Sequence, residues 1–566
     1  MNNTIVNNTI RAQGSEGNNT GILCDSICTG NMLLNNVIST NGTTGNSGIE
    51  LLRSTNNTVD GNRINTNGTS GNVGIRVATN GLFNVLTNNT VATQGDNSEG
   101  ILLLTAIHNT TVRMNDVHTN GSSTHGIRLG DLATFNNIVN NSFEVRGITG
   151  DFGIYGASTV LNNTIANNTV SVQVTSVADG IRLDSTGSGN VIIGNRIVVN
   201  GSQTAGIRLF TNMDNNSVTD NVIYAQGNTA SNYGLVLSTV ANTNSITRNT
   251  INVSGPTNSY GVYIAAGNNN TFLDNNITVS GSSSYALRIE SGNDSTFNNT
   301  ILSMPSGWIF TFDNTNNSFV NTSFIGRNSS VRITGRVNAT TAFDVGTTTL
   351  NLSYNGAFLN ASNLSFMNAS ARITFLNITV TTPQAIVDID DDGTFETCDA
   401  SVCTDQTDVG TTFSFTVAHW TNYSSQQTPP PGCGVLNSDR TLANDVNSTS
   451  NCFTINASNI VLDCDGFTIN YSQGRNGHAV VANATNNLTI KNCEIVNEYA
   501  VVNNSYALNF TNTNNSLVLN NNITVVGNSS GGVLMTFSVN NTIRNNSITT
   551  TGAGAFKVGV TIAYNA

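Results

Sequence analysis

The stretch GIRLFTNMDNNSVTDNVIYAQG, Gly206–Gly227, decides the fold, because the chain writes it again and again. Its Gly-apolar pair falls at Gly21, Gly48, Gly74, Gly100, Gly126, Gly153, Gly180, Gly206, Gly234 and Gly261, with Ala286 standing in once, at steps of 25 to 28 residues. A second mark, apolar-x-x-Asn-x-apolar, keeps phase through Asn8, Asn36, Asn62, Asn89, Asn115, Asn141, Asn168, Asn195, Asn221, Asn249, Asn275 and Asn299. Two marks in step over about 300 residues define a repeat of about 26 residues. Within a copy, Ile207 and Leu209 flank Arg208, Val218 follows, and Ile223 comes just after Asn221. Alternation at period two is a strand signature, and no segment shows helical spacing. Three short strands per copy cannot bury an apolar face alone, so the copies must stack, each strand pairing with its equivalent about 4.8 Å away. About twelve coils would then stand about 55 Å tall. The recurrent Asn is expected at a sharp corner, where it tolerates the left-handed conformation and its amide bonds to equivalents above and below.

Composition agrees with an all-β repeat protein. Charged residues are 10% of the chain and only two lysines occur, so Asn, Thr, Ser and Gly must keep it in solution. The net charge of −12 argues against nucleic acid as a partner, since phosphate binding needs clustered Lys and Arg. No run of 18 apolar residues marks a membrane span. The first residues, MNNTIVNNTI, are already half a repeat unit, and the chain ends within one, which reads as an excerpt of a longer protein.

The recurring coil with its corner Asn resembles the right-handed parallel β-helix family of the pectate-lyase-like and NosD-like kind. The resemblance covers residues 1–325 and again 433–566, and implies a fold rather than an activity. Between these blocks, residues 326–425 (VRITGRV, TTLNLSY, ARITFLNITV, TTFSFTVAHW) read as seven or eight strands of a β-sandwich-like module. Part of it, CDASVCTDQTDVGTTFSFTVAHWTNYSS, is similar to a module of archaeal-type surface proteins. Residues 426–432 read as a Pro-rich linker. From Cys433 the chain resembles the opening of such a β-helix, and the coil resumes at Ala507, Gly532 and Gly559, with the corner mark on Asn521 and Asn546 and with Cys493 in that slot one coil earlier.

Eight cysteines fall as close pairs, Cys24 with Cys28, Cys398 with Cys403 and Cys433 with Cys452, leaving Cys464 and Cys493 over. Without a C-x-x-C, disulfides in an oxidising compartment are the simpler expectation, with Cys493 as an alternative core filler. Sequons in the longer turn, at Asn41, Asn120 and Asn200, are accessible glycosylation acceptors, whereas many others are by-products of the coil.

Three features bear on function. Glu99, His125 and Arg128 sit in a patch of Asp96, His108, Arg113, Asp116, His118 and Asp131, and are the candidate catalytic residues of a polysaccharide-cleaving enzyme; the same patch would equally serve as a solvated, mutually paired cluster. The outward position of the GIRL strand carries Arg76, Arg128, Tyr155, Arg182, Arg208, Tyr263 and Arg288, a stripe that could bind sugars or simply keep the face soluble. Spacing leaves open whether Tyr233, Tyr260 and Tyr285, just before the Gly, point in or out. Asp388, Asp390 and Asp392, followed by Glu396 and Asp399, have the ligand spacing of a Ca2+ loop, or form an acidic turn that binds nothing tightly.

The expectation from sequence is therefore a secreted or cell-surface structural and adhesive protein contacting glycans or cell-surface polymers. The alternatives are a lyase or glycoside hydrolase of acidic polysaccharide and a NosD-type periplasmic accessory protein.

Overall fold

The computed structural model describes residues 2–227, 231–304, 308–311, 316–339, 349–380, 382–427, 432–497, 504–552 and 557–564. It divides into two units, Met1–Gln427 and Thr428–Ala566. Most of the Pro-rich stretch 426–432 lies outside the described residues.

In the first unit each coil contributes one strand to each of three sheets. Sheet one starts at Thr4–Val6 and runs in parallel through Met32–Leu34 and Thr58–Asp60 to Asn317–Val320. Sheet two takes the strand after the corner, from Thr9–Gln13 to Ser323–Ile325, and sheet three the Gly-apolar strand, from Thr20–Cys24 to Trp308–Thr311. Register is one residue to one residue from coil to coil, as in Arg196↔Val222 and Ile197↔Ile223. The chain is thus a parallel β-solenoid. Inward positions such as Val59, Ile64 and Ile75, one from each sheet of a coil, are at most 1% exposed. Burying each contributes roughly 1.5–3 kcal/mol, realised only when the next coil covers it.

The repeated glycine has a steric cause. At Gly206 a Cβ would fall 2.1 Å from Ile223 Cγ2 and 2.7 Å from the Gly234 carbonyl oxygen, so a bare backbone lets sheet three close against sheet two. The corner asparagines form a continuous ladder from Asn8 to Asn275. At its middle, the Asn195 backbone N–H and Nδ2 both donate to Asn221 Oδ1 at 2.9 Å, and Nδ2 also donates to the Ile165 carbonyl at 2.9 Å.

Two expectations about this corner are corrected. The left-handed residue is the one before the ladder Asn: Asp220 (φ 55°), Arg248 (φ 53°) and Asp274 (φ 57°) reverse the chain, while Asn221 holds the corner through its side chain, Nδ2 donating to the Ile192 carbonyl at 2.9 Å. Asn299 is not a rung. Counting from Phe297, which pairs with Phe272, places Thr300 in the slot, where its hydroxyl donates to the Asn298 carbonyl at 3.3 Å. Asn299 takes the left-handed position, φ 49°, and its Nδ2 donates to Asp274 Oδ1 at 2.6 Å.

A second ladder was not anticipated. Asn136, Asn163, Asn190, Asn216, Asn244 and Asn270 bond in the same way at the preceding corner. Its signature is a second Asn five residues before the first, as in Asn163 and Asn168 or Asn216 and Asn221.

Beyond Ile325 the strand direction changes while the core continues. Ser329–Ile333 pairs antiparallel with Ser323–Ile325, followed across the sheet by Ala371–Phe375, Thr412–Val417 and Cys403–Val409. A five-stranded sheet built from Leu350–Ser353, Gly356–Leu359, Asn422–Gln427, Pro383–Asp388 and Glu396–Thr397 supplies the other layer. Phe375, Phe413, Phe415 and Tyr423 fill the space between, and belong to the same buried cluster as the coil residues. In the second unit the same three-sheet coil returns, with sheets of six, five and five strands.

All eight cysteines are paired, including the two left over on spacing: Cys464 bonds Cys493 across successive coils. Cys493 also keeps its ladder slot, its backbone N–H donating to Asn521 Oδ1 at 2.9 Å.

Candidate functional site

The outer face of sheet three carries the predicted stripe. Register stacks Arg76, Leu102, Arg128, Tyr155, Arg182, Arg208, Val236, Tyr263 and Arg288 in one column. The slot before each Gly forms a neighbouring column, Glu99, His125, Phe152, Asp179, Ala205, Tyr233, Tyr260 and Tyr285. The tyrosines point outward: Tyr233 stacks on Tyr260 at 5.2 Å, Tyr260 on Tyr285 at 5.3 Å, and Tyr263 lies 5.5 Å from Tyr233.

The two columns are satisfied by one another and by Asp184, just beyond the strand Ala178–Leu183. Arg208 Nε and Nη2 donate to the buried Asp179 carboxylate at 2.8 and 3.2 Å, and Arg182 pairs with Asp184 at 2.8 Å. Tyr155 donates to Asp184 at 3.1 Å, and Arg288 to the Tyr260 hydroxyl at 2.6 Å. Guanidinium groups lie over the rings, Arg182 at 4.9 Å from Phe152 and Arg288 at 5.2 Å from Tyr260. Because coil spacing matches ring stacking, ring faces are turned toward each other, and what the stripe offers outward is guanidinium and phenol edges. Arg76 and Arg128 are the more exposed members, each tethered to a glutamate, Glu50 at 3.1 Å and Glu99 at 3.2 Å.

The candidate catalytic trio shares this face. Glu99 has an 8% exposed side chain; burial raises its carboxyl pKa, offset in part by Arg128. His125 is 6% exposed, stacked on Phe152 at 5.1 Å and close to Tyr155 at 4.7 Å. Burial, with Arg128 adding to it, pushes its pKa down to about 3, so the imidazole is neutral. The trio is a packed layer, with Glu99 held by Arg128 and His125 set between Phe152 and Tyr155.

The rest of the crowded sequence patch is dispersed, because 26-residue coils place close sequence neighbours on different faces. Asp116 and His118 belong to the outer face of sheet two, with His118 Nε2 3.2 Å from Asp116 and Nδ1 2.9 Å from Glu144. His108 meets Thr134 at 2.5 Å near the second corner, and Arg113 is exposed on sheet one. The sequon residues Asn41, Asn120 and Asn200 are exposed at the ends of sheet-two strands.

In the sandwich-like region, ligand atoms of Asp388, Asp390 and Asp392 all lie within 4.8 Å of one another. Asp388 is buried and closes the loop, accepting from the Asp392 and Gly393 N–H groups at 3.1 and 3.0 Å. Glu396 lines the same 300 Å³ hollow as Asp390 and Asp392. Asp399 is outside this group: it accepts from Ser401 N–H at 2.7 Å inside the Cys398–Cys403 loop, which holds its carboxyl below the usual range.

No protein-family model matches the sequence, and no curated protein does. Among solved structures, a mutant tailspike protein of E. coli bacteriophage HK620 in complex with pentasaccharide is similar at 12% identity over 71% of this chain and 76% of that one, TM-score 0.34. A tailspike protein, gp49, from Acinetobacter baumannii bacteriophage Fri1, a capsular polysaccharide depolymerase, is similar at 11% identity over 72% and 79%, TM-score 0.26. Similarity at this level leaves the function to be argued from the chain itself.

Proposed function

We propose that the chain is a secreted or cell-surface structural protein whose solenoid faces contact glycans without cutting them. The observation that carries this reading is the sheet-three column, in which hydrogen-bonding guanidinium and phenol groups recur coil after coil, held in place by ion pairs. A polysaccharide lying along the coils would meet the same kind of group at successive steps. Complete pairing of the cysteines supports an oxidising, extracellular compartment. The Asp388, Asp390 and Asp392 loop would take Ca2+ as a structural ion, with Glu396 as a further oxygen ligand.

The lyase or hydrolase reading would need an accessible acid and base around a cleft. Glu99 is bound by Arg128 and His125 is enclosed by aromatic rings. The test is incubation with uronic-acid polymers and neutral polysaccharides in the presence of calcium. Retention on the polymer, weakened by Arg76→Ala or Arg128→Ala and without new reducing or unsaturated ends, supports glycan contact. Ends released at an enzymatic rate would replace it with the enzyme reading, and no retention on any polymer would remove it.

A further inference from the structure

Two adjoining concavities of the first unit lie on another face from the stripe. On the outside of sheet two, a hollow of about 240 Å³ is lined by Gln94, His118, Asn120, Glu144 and Arg146. A second, about 320 Å³, adjoins it over the following turn, sharing Asn120 and Arg146 and adding Asp96, Ser122, Ile148 and Gln173. We infer that the two form one groove that binds an uncharged oligosaccharide, and that this is where the glycan contact proposed above is specific; the inference rests on that reading.

The groove is built rather than accidental. Its floor is bare turn backbone: a Cβ on Gly121 would fall 2.2 Å from the Gly95 carbonyl oxygen, and one on Gly147 2.0 Å from that of Gly121. Its charged groups are held by one another. Arg146 Nε donates to Glu144 Oε1 at 2.8 Å, the other Glu144 oxygen meets His118, and His118 reaches on to Asp116. Asp96 Oδ1 accepts the Ser122 N–H at 2.8 Å, fixing the wall of the second hollow. Among the described residues, nothing is bonded to Arg146 Nη1, to Asp96 Oδ2, or to the side-chain amides of Gln94, Asn120 and Gln173. These planar donors and acceptors suit the paired donor and acceptor character of sugar hydroxyls. Ile148, 61% exposed, supplies an apolar lip against which the C–H face of a pyranose can lie.

The charge balance sets the ligand class. Asp96 and Glu144 outnumber Arg146 in the lining, and the Arg146 charge is already engaged by Glu144. A uronate would bring a further negative charge against two carboxylates, whereas neutral hexoses bring only hydroxyls. The groove therefore selects against the acidic glycans that an arginine stripe alone would suggest.

The test titrates the full-length chain, produced without glycans because Asn120 is itself a sequon residue, with neutral cello-, manno- and galacto-hexasaccharides and with an oligogalacturonate. The same titrations are made on Asn120→Ala, Arg146→Ala and Arg76→Ala, with melting curves to check folding. Asn120 and Arg146 are exposed, so neither variant touches the core. The expected result is binding of at least one neutral oligosaccharide in preference to the uronate, weakened about tenfold by Asn120→Ala and by Arg146→Ala. Binding that falls in Arg76→Ala but is unmoved by both groove variants overturns the groove and keeps the glycan-contact reading. Preference for the uronate, lost in the groove variants, overturns the ligand class. No binding to any of the four overturns glycan contact and the groove together.

Discussion

Asp151 occupies a slot where most coils carry Asn, Ser or Thr, and Asp151→Asn should stabilise the protein at neutral pH. The side chain is fully buried; Oδ1 accepts from the Thr124 N–H at 2.8 Å and from its hydroxyl at 3.1 Å, while Oδ2 has no hydrogen-bond partner. Burial, opposed by the Thr124 bonds and joined by the charge of Asp96, pushes its pKa up from 3.8 to about 6. A proton thus binds the folded chain more tightly than the unfolded one. The penalty is absent below about 3.8, grows as pH rises toward about 6, and is complete above it. At about 1.4 kcal/mol for each tenfold change, the full cost is about 3 kcal/mol, which solvent screening near the turn reduces to about 1–2 kcal/mol. In equivalent slots Asn46 Nδ2 donates to the Asn67 carbonyl at 3.1 Å and Asn72 Nδ2 to that of Gln94 at 2.6 Å, and by register the carbonyl available to residue 151 is that of Gln173. With about 2.1 cal/mol/K of unfolding entropy per residue, a unit of this size should melt about 1–2 °C higher at pH 7.5 in the variant. At pH 4 the two melting points should nearly coincide, and native-state hydrogen exchange at the Thr124 amide should slow only at the higher pH. A variant no more stable at pH 7.5, or equally shifted at both pH values, would refute the assignment of the unpaired oxygen as a charge cost.

The remaining predictions test other parts of the chain. Asn168→Ala strips partners from the buried Asn141, Asn195 and Ile138 groups and should cost about 3–5 kcal/mol in chemical denaturation, while Asn299→Ala, off the ladder, should cost only about 1 kcal/mol, chiefly because Ala adopts the left-handed φ of 49° less readily than Asn. Thr93→Val and Thr119→Val remove buried hydroxyls without partners, in a column that later coils fill with Val145, Val172 and Val199. Each should raise stability by about 1 kcal/mol in the same assay. Calcium should protect the Asp388–Glu396 loop from proteolysis, EDTA should remove the protection, and the double variant Asp390→Asn with Asp392→Asn should be protected in neither condition.

How much of this was legible depended on whether a property repeats. The Gly-apolar and Asn marks recur because each coil must satisfy the same steric and hydrogen-bonding demands, so the coil, its three strands and most rungs could be counted from the chain. Asn299 failed because N-N-T offers an Asn one place before the slot, and only the pairing of Phe272 with Phe297 places Thr300 there. The Cys464–Cys493 bond was hidden because its separation of 29 residues is long in sequence yet one coil in space. The apparent His and Asp patch was an artefact of sequence proximity, since Glu99, His108 and Asp116 lie on three different parts of the coil perimeter.

The amino-acid order alone determined the period, the strand character and the alternation that puts Ile207 inside and Arg208 outside, because each follows from local backbone geometry and from burial at period two. It also determined which residues would share a column, since a constant repeat length converts sequence distance into height. What only the tertiary structure decided was what those columns do to one another. Coil spacing turns the tyrosines into a self-stacked ladder, Asp179 into the buried partner of Arg208, and three separated strand ends with their glycine turns into a groove. Side-chain pairing across coils depends on directions and distances between atoms about 26 residues apart, which no spacing rule contains.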